Sequence, residues 1–248
     1  RVATGEYIYH CDSDDFLETN ALELYYNAAI TKNADLVWSD YYISYGNREM
    51  YKKQPDYSSI SDVLDATLSG KMKYNVWNKL VRRTIYEQNE IVFPEGYSMG
   101  EDMTMIKLMS CSGTVAYVNE ALYHYVQLNT SSMMQNCFSD NHIRALKHNT
   151  EDVVDYLKKK YGDDYNVSIY SFALLLKWPF LTTSNRSLYE VWSSWIPEAN
   201  EYIWKDAGVS KRIKFVEWLA SKKVFTLVQL HYWIVIRFYY SIRYRNRK

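Results

Sequence analysis

The stretch that most constrains this chain lies at its start. Glu6-Tyr-Ile-Tyr-His-Cys11 is an apolar and aromatic run with strand character, and Asp12-Ser13-Asp14-Asp15 sets three carboxylates within four residues at its end. Oxygen ligands at a strand end can share one hard divalent cation, and open α/β sheets bind ligands outside the carboxyl ends of their strands. An acidic turn that caps the next helix fits the same pattern. A strand as continuously apolar as Tyr7-Ile-Tyr expects neighbours on both sides, yet only five residues precede Glu6. Either the fold is small and α-rich, or a preceding βα half is missing from this chain; the second is the expectation.

The rest of the chain changes period once. Thr19-Asn20 starts a helix carrying Leu22, Tyr25, Tyr26, Ala29 and Ile30 at helical spacing. Residues 35–38 and 41–45 read as strand, and Gly46-Asn47 as the turn of a hairpin or sheet edge. A short helix spans 61–68, a strand 74–82, a helix 83–88, and a brief strand 91–93 stops at Pro94. An amphipathic helix follows Glu101-Asp102 to about Ser112, then two short strands at 114–118 and 122–127. Two carboxylates in a first turn favour the helix dipole, so capping is the plain role for Glu101 and Asp102. After residue 136 only helices are expected: 139–161, 164–178, 187–206, 209–222 and 224–243. The fold class is therefore α/β, a partial sheet layer over 1–136 followed by an all-helical region over 137–248.

At 248 residues the chain can bury a substantial core. Its bias is aromatic, with 25 Tyr and 8 Trp, residues common at interfaces, carbohydrate-facing surfaces and membrane boundaries. Cys11, Cys111 and Cys137 have no metal-like or paired spacing and read as reduced thiols of a cytoplasmic protein; no signal-peptide pattern opens the chain. The net charge of zero hides an asymmetry: residues 1–136 hold 11 Lys+Arg against 18 Asp+Glu, and residues 137–248 hold 18 against 11. The acidic half carries the candidate cation site, and the basic half suits anionic lipid. An EF-hand is excluded, because Leu17 stands where that loop needs Gly. Nothing points to nucleic acid.

Four blocks together resemble family 2 of the inverting glycosyltransferases, enzymes of the GT-A fold. "ATGEYIYHCDSDD" (3–15) is similar to the strand and Asp-x-Asp segment, "WNKL" (77–80) to a recurring block of bacterial members, "GED" (100–102) to the acceptor-side acidic motif, and "YHYVQLNTSSM" (123–133) to the aromatic loop that follows. Their order and spacing match too. Nothing here resembles the family's opening "V-S-V-I-V-P-x-Y-N" strand or its "D-D-G-S-T-D" nucleotide-binding segment, so the uridine-side contacts are expected to be absent. The resemblance implies a metal-dependent transfer, with inversion, from a nucleotide-sugar donor (a UDP-sugar) to a glycan or lipid-linked acceptor in bacterial surface polysaccharide synthesis. The alternative is an inactive truncated remnant or a membrane-associated interaction module.

The resemblance also implies roles. Asp14 is the direct ligand of Mg²⁺ or Mn²⁺, with Asp12 closer to the sugar or ribose, Ser13 in the donor loop and Asp15 capping the next helix. Asp102 is the catalytic base, with Glu101 the fallback. Trp77, Lys79 and Tyr125 face the donor, and His124 is a candidate metal or phosphate ligand. Where many relatives carry Arg after the aromatic pair, Val126-Gln127 stands. Finally, 224–242 is strongly apolar but contains Gln229, His231 and Arg237, and is followed by Arg243, Arg245, Arg247 and Lys248. That pattern fits a helix lying on the inner face of the cell membrane, or else a buried or oligomer-forming helix.

Overall fold

The computed structural model describes residues 2–98, 100–128, 138–206 and 208–239. The end of the aromatic-loop block (129–133), Cys137, the change of period at 136–137 and the terminal basic residues from Arg243 onward lie outside them. The chain divides into two compact units, Arg1–Leu157 and Lys158–Lys248. The first unit thus runs past residue 136. The reason is visible in the helix Asp140–Tyr161: Asn149 Nδ2 donates to the Ser98 carbonyl at 3.0 Å, and Lys107 pairs with Asp152.

The first unit is built on a six-stranded sheet. Its strands are β1 (Tyr7–Tyr9), β2 (Phe16–Leu17), β3 (Leu36–Ser44), β4 (Glu49–Lys52), β5 (Lys79–Arg82) and β6 (Val115–Val126). Their order is β1-β5-β3-β6-β2, with β4 forming a hairpin on the end of β3. β3 is central: it runs parallel to β6 and antiparallel to β4 and β5. Its opening Leu36, Val37 and Trp38 are wholly buried, as a strand covered on both faces requires. Among the described residues β1 pairs with β5 alone and ends the strand order.

The helices of this unit are α1 (Ala21–Lys32), α2 (Ile60–Leu68), α3 (Arg83–Gln88), α4 (Gly100–Cys111) and most of α5 (Asp140–Tyr161). α1 ends where Asn33 takes a left-handed conformation (φ 47°). Its packing face takes only Tyr25 and Ala29 of the predicted apolar stripe. Ala21, Tyr25 and Ala29 are buried against Val37, Leu80, Ala116 and Leu122, because two alanines let the helix lie close to the sheet. Leu22, Tyr26 and Ile30 stay exposed.

Three other expectations change. Residues 74–78 form a turn before β5, not strand, and 91–93 form no strand; the Ile91 N–H is spent on the Tyr86 carbonyl at 3.0 Å. The two predicted strands at 114–118 and 122–127 are one strand, and the expected break survives as a register shift beside Ser39–Tyr41. On the hairpin side the buried Asp40 carboxylate accepts the Gln54 N–H at 2.5 Å, the Tyr117 hydroxyl at 2.7 Å and the Tyr51 hydroxyl.

The second unit is helical, with α6 (Asn166–Lys177), α7 (Ser187–Ser194), α8 (Lys211–Ser221) and α9 (Phe225–His231). The predicted 187–206 helix breaks after Ser194, because Pro197 bars the preceding residue from helical geometry; Ile196 sits at φ 45° and a 3₁₀ turn follows over Pro197–Tyr202. The Ile196 carbonyl accepts from the buried Lys177 ammonium at 3.3 Å, which also lies 4.3 Å over the Trp192 ring. α9 continues as a π-helix over Tyr232–Tyr239. No described helix is long and apolar enough to cross a membrane.

Candidate active site

The acidic loop is clasped by β6. The Asp15 N–H donates to the Asp12 carbonyl at 3.2 Å, closing the turn. Tyr123 then bridges it: its hydroxyl accepts the Asp12 N–H at 3.2 Å and donates to Asp15 Oδ2 at 2.6 Å. The Val126 N–H donates to Asp15 Oδ1 at 2.7 Å. Asp15 is therefore a tie to β6 and not a helix cap; Asn20 holds the N-cap position of α1. With Asp15 fixing the loop, Asp12, Ser13 and Asp14 are left exposed, and among the described residues no hydrogen bond or ion pair engages the carboxylates of Asp12 and Asp14. Partial burial pushes the Asp12 carboxyl up, and the charges of Asp15, Asp14 and Glu101 push it further.

The Glu101 contribution shows where α4 points. The motif Gly100-Glu101-Asp102 opens that helix beside the acidic loop. Only glycine fits at position 100, since a Cβ there would lie 2.0 Å from Pro94 Cγ. Glu101 is exposed, and Asp102 is partly buried with Oδ1 accepting the Val76 N–H at 3.2 Å. Asp102 thus binds the turn before β5 from the first turn of its own helix. Burial and the Glu101 charge raise its carboxyl to about 6, against the opposing pull of Lys79 and the Val76 N–H; Asp12 adds a smaller upward push.

Lys79 is not placed as a phosphate contact. Its side chain is wholly buried, and its ammonium donates to the Asn75 carbonyl at 2.7 Å and Asn78 Oδ1 at 2.8 Å. Burial pulls it down to about 7, with Asp102 resisting. Its charge acts on the site from inside, through Asp102.

Trp77 and Tyr125 do meet at the site. Trp77 stacks on Tyr123 and Tyr125, with centroids 4.6 and 5.2 Å away, and meets Tyr41 edge-on. The Tyr9 hydroxyl donates to the Trp77 carbonyl, anchoring this platform to β1. Burial raises the Tyr125 hydroxyl, and the charges of Asp15, Asp12 and Asp102 all reach it, so Tyr125 stands among the carboxylates.

His124 does not join them. Side chains alternate along β6, so His124 projects from the face opposite Tyr123 and Tyr125. Nδ1 meets Glu49 at 2.8 Å and Nε2 meets Glu18 at 2.9 Å, which leaves no nitrogen for a metal. Its ring is stacked between Phe16 and Tyr42. Among the described residues no three His, Cys, Asp or Glu side chains are grouped to hold a metal ion by themselves.

Sequence reasoning missed three parts of this site: the Tyr123 bridge, the Val76 N–H and the Asn75–Asn78 cradle of Lys79. Only the first had a signal, the period-two alternation of Tyr123-His124-Tyr125. The others depend on a tight turn inside a segment that reads as strand.

No protein-family profile matches the chain. Among curated proteins it is 28% identical to glycosyltransferase GlyG of Streptococcus pneumoniae over 71% of this chain and 61% of that protein. It is 27% identical to the cholesterol galactosyltransferase of Borreliella burgdorferi over 61% of this chain and 46% of that protein. The chain spans about half the length of these relatives. Its fold matches the crystal structure of S. aureus TarS residues 1–349 with a TM-score of 0.64 and 12% identity, covering 93% of this chain and 67% of that one. The chain takes the fold seen in TarS. The mixed α/β sheet and helical C-terminal region follow TarS, and TarS has also been solved with UDP-GlcNAc (TM-score 0.55, 11% identity, 93% of this chain and 68% of that one).

Proposed function

We propose that this chain is the acid-motif part of a metal-dependent inverting glycosyltransferase of family 2. It would use a nucleotide-sugar donor, a UDP-sugar, and a glycan or lipid-linked acceptor in surface polysaccharide synthesis. The observation that carries the reading is the convergence of two distant acidic motifs, Asp12/Asp14 and Glu101/Asp102, around the Trp77–Tyr123–Tyr125 platform. The names of the sequence relatives and the TarS fold support it.

The residues suit Mg²⁺ or Mn²⁺. Asp14 and Asp12 offer hard oxygen donors that no other described residue engages, and two protein carboxylates suffice when phosphates and water complete the shell. When bound, such an ion supplies Lewis-acid neutralisation of a diphosphate leaving group. Asp102 takes the proton of the acceptor hydroxyl. A carboxyl near 6 is a stronger base than an ordinary aspartate and is still ionised at pH 7. Lys79 and the Val76 N–H hold it from rising further. Glu101, exposed beside it, raises its basicity. The aromatic platform gives a sugar ring an apolar wall.

The test is sugar transfer by the full gene product from a panel of UDP-sugars, with Mn²⁺ present. Asp14→Ala and Asp102→Asn should each abolish transfer. Retained transfer in both would sink the assignment.

We also propose that the second unit rests on an anionic membrane face. Leu227, Leu230, Ile234 and Phe238 form an exposed apolar stripe, with Trp233 beside it, and Lys211, Arg212 and Lys214 lie on the neighbouring α8. Cosedimentation with phosphatidylglycerol vesicles should be lost in Leu230→Glu/Phe238→Glu; equal binding to uncharged vesicles would refute the electrostatic part.

A further inference from the structure

A second polar cavity opens on the Tyr42–His124 side of the sheet, the face that the donor site does not use. It holds about 360 Å³ and is lined chiefly by Glu18, Asn20, Tyr42, Tyr51, Asn119 and Glu120. That volume lies within the range of small-molecule sites. Beside it an aromatic row crosses four strands. Phe16 stacks on His124 at 4.2 Å, His124 stacks on Tyr42 at 4.9 Å, and Tyr42 meets Tyr51 edge-on at 5.6 Å.

The lining selects a ligand class. No Lys or Arg lines the cavity and two carboxylates do, so a phosphate or nucleotide is disfavoured. An ammonium wants an open aromatic face. Tyr42 has given a face to His124, and the Tyr51 hydroxyl is committed to Asp40. The lining instead mixes acceptors with donors. Glu18 gives one oxygen to His124 and keeps the other, and Glu120 is exposed. Asn119 Oδ1 accepts from Lys53 at 2.9 Å, which leaves its amide N–H groups to donate. Donors and acceptors side by side in one polar cavity match the hydroxyls of a sugar.

We propose that this cavity is a saccharide-binding subsite, separate from the carboxylate site, which takes a neutral hexose or N-acetylhexosamine unit of a glycan. Its use to hold an acceptor glycan rests on the glycosyltransferase reading; the binding of a neutral sugar does not.

The experiment titrates the full chain with glucose, galactose, N-acetylglucosamine and cellobiose, by saturation-transfer NMR and calorimetry. UDP with Mn²⁺ and tetramethylammonium are titrated in parallel. The variants are Asn20→Ala/Glu120→Ala and, separately, Asp14→Ala. Asn20 and Glu120 are exposed and make no side-chain hydrogen bond, so their removal leaves the fold intact. Sugar binding should weaken at least tenfold in the double variant and be unchanged in Asp14→Ala. Equal sugar binding by wild type and double variant, no sugar binding by wild type, or displacement of the sugar by tetramethylammonium would each overturn the proposal. Failure of UDP–Mn²⁺ to bind, or its binding undiminished in Asp14→Ala, counts against the donor reading and leaves the sugar result standing.

Discussion

Asp102→Asn should stabilise the protein while destroying transfer, and the gain should grow with pH. The Asp102 carboxyl is raised from an ordinary 3.8 to about 6 by burial and by Glu101. A tenfold change in proton affinity is worth about 1.4 kcal/mol, so ionising this group in the folded state costs about 3 kcal/mol relative to the unfolded chain. Below pH 4 the carboxyl is protonated in both states, and wild type and variant should match. Between pH 4 and 6 the unfolded chain ionises and the folded one resists, so wild-type stability falls away relative to the variant. Above 6 the difference levels off. Asparagine keeps an oxygen for the Val76 N–H, so that bond survives. Lys79 loses its partner, which trims the gain to about 1–3 kcal/mol, or roughly 2–10 °C in melting temperature for a chain of this size. Thermal melts of both proteins from pH 4 to 8 read this directly. A difference that does not change with pH, or a variant that becomes less stable as pH rises, would refute the buried-carboxylate reasoning.

Lys79→Met removes the charge that lowers Asp102, so the midpoint of the transfer rate against pH should move above 6; a midpoint that stays or falls would break the link between the two groups. Asp15→Ala cuts the bonds to Tyr123 and Val126 and should cost about 2–3 kcal/mol in urea denaturation, with donor affinity falling as the loop loosens. In the second unit Glu217 is buried, and burial holds its carboxyl near 8. Glu217→Gln should match wild type near pH 4, melt increasingly higher between about pH 4.5 and 8 as the unfolded wild type ionises and the folded one resists, and keep a constant lead above 8. A variant that melts lower than wild type at pH 7 would show that the carboxylate is ionised there.

The sequence made most elements legible where period and punctuation agreed. The hairpin at Gly46-Asn47, the helix after Asn20 and the helix opening at Gly100 all carry turn or cap residues at the right offsets. It read the face of α1 in part: Tyr25 and Ala29 are buried as expected, but Leu22, Tyr26 and Ile30 are exposed, while the small Ala21, not marked by hydrophobicity, packs on the sheet. It misread His124 and Lys79 for a related reason. Residue type suggested ligand chemistry, but a single-residue alternation sent His124 to the far face, and a turn at Asn75–Asn78 folded Lys79 inward. Neither outcome follows from composition; both follow from register, which is set by pairings between distant segments.

Lys79 lies wholly buried, tied to Asn75 and Asn78, and its influence falls on Asp102. Asp102 is held near 6, so it ionises at neutral pH, as the proposed base role requires. Among the described residues no cation pairs with Asp12, and burial together with the charges of Asp15, Asp14 and Glu101 keeps its carboxyl raised. A carboxylate cluster in that state gains from a divalent ion that binds the folded chain and not the unfolded one, which is the stabilisation the proposed metal would supply.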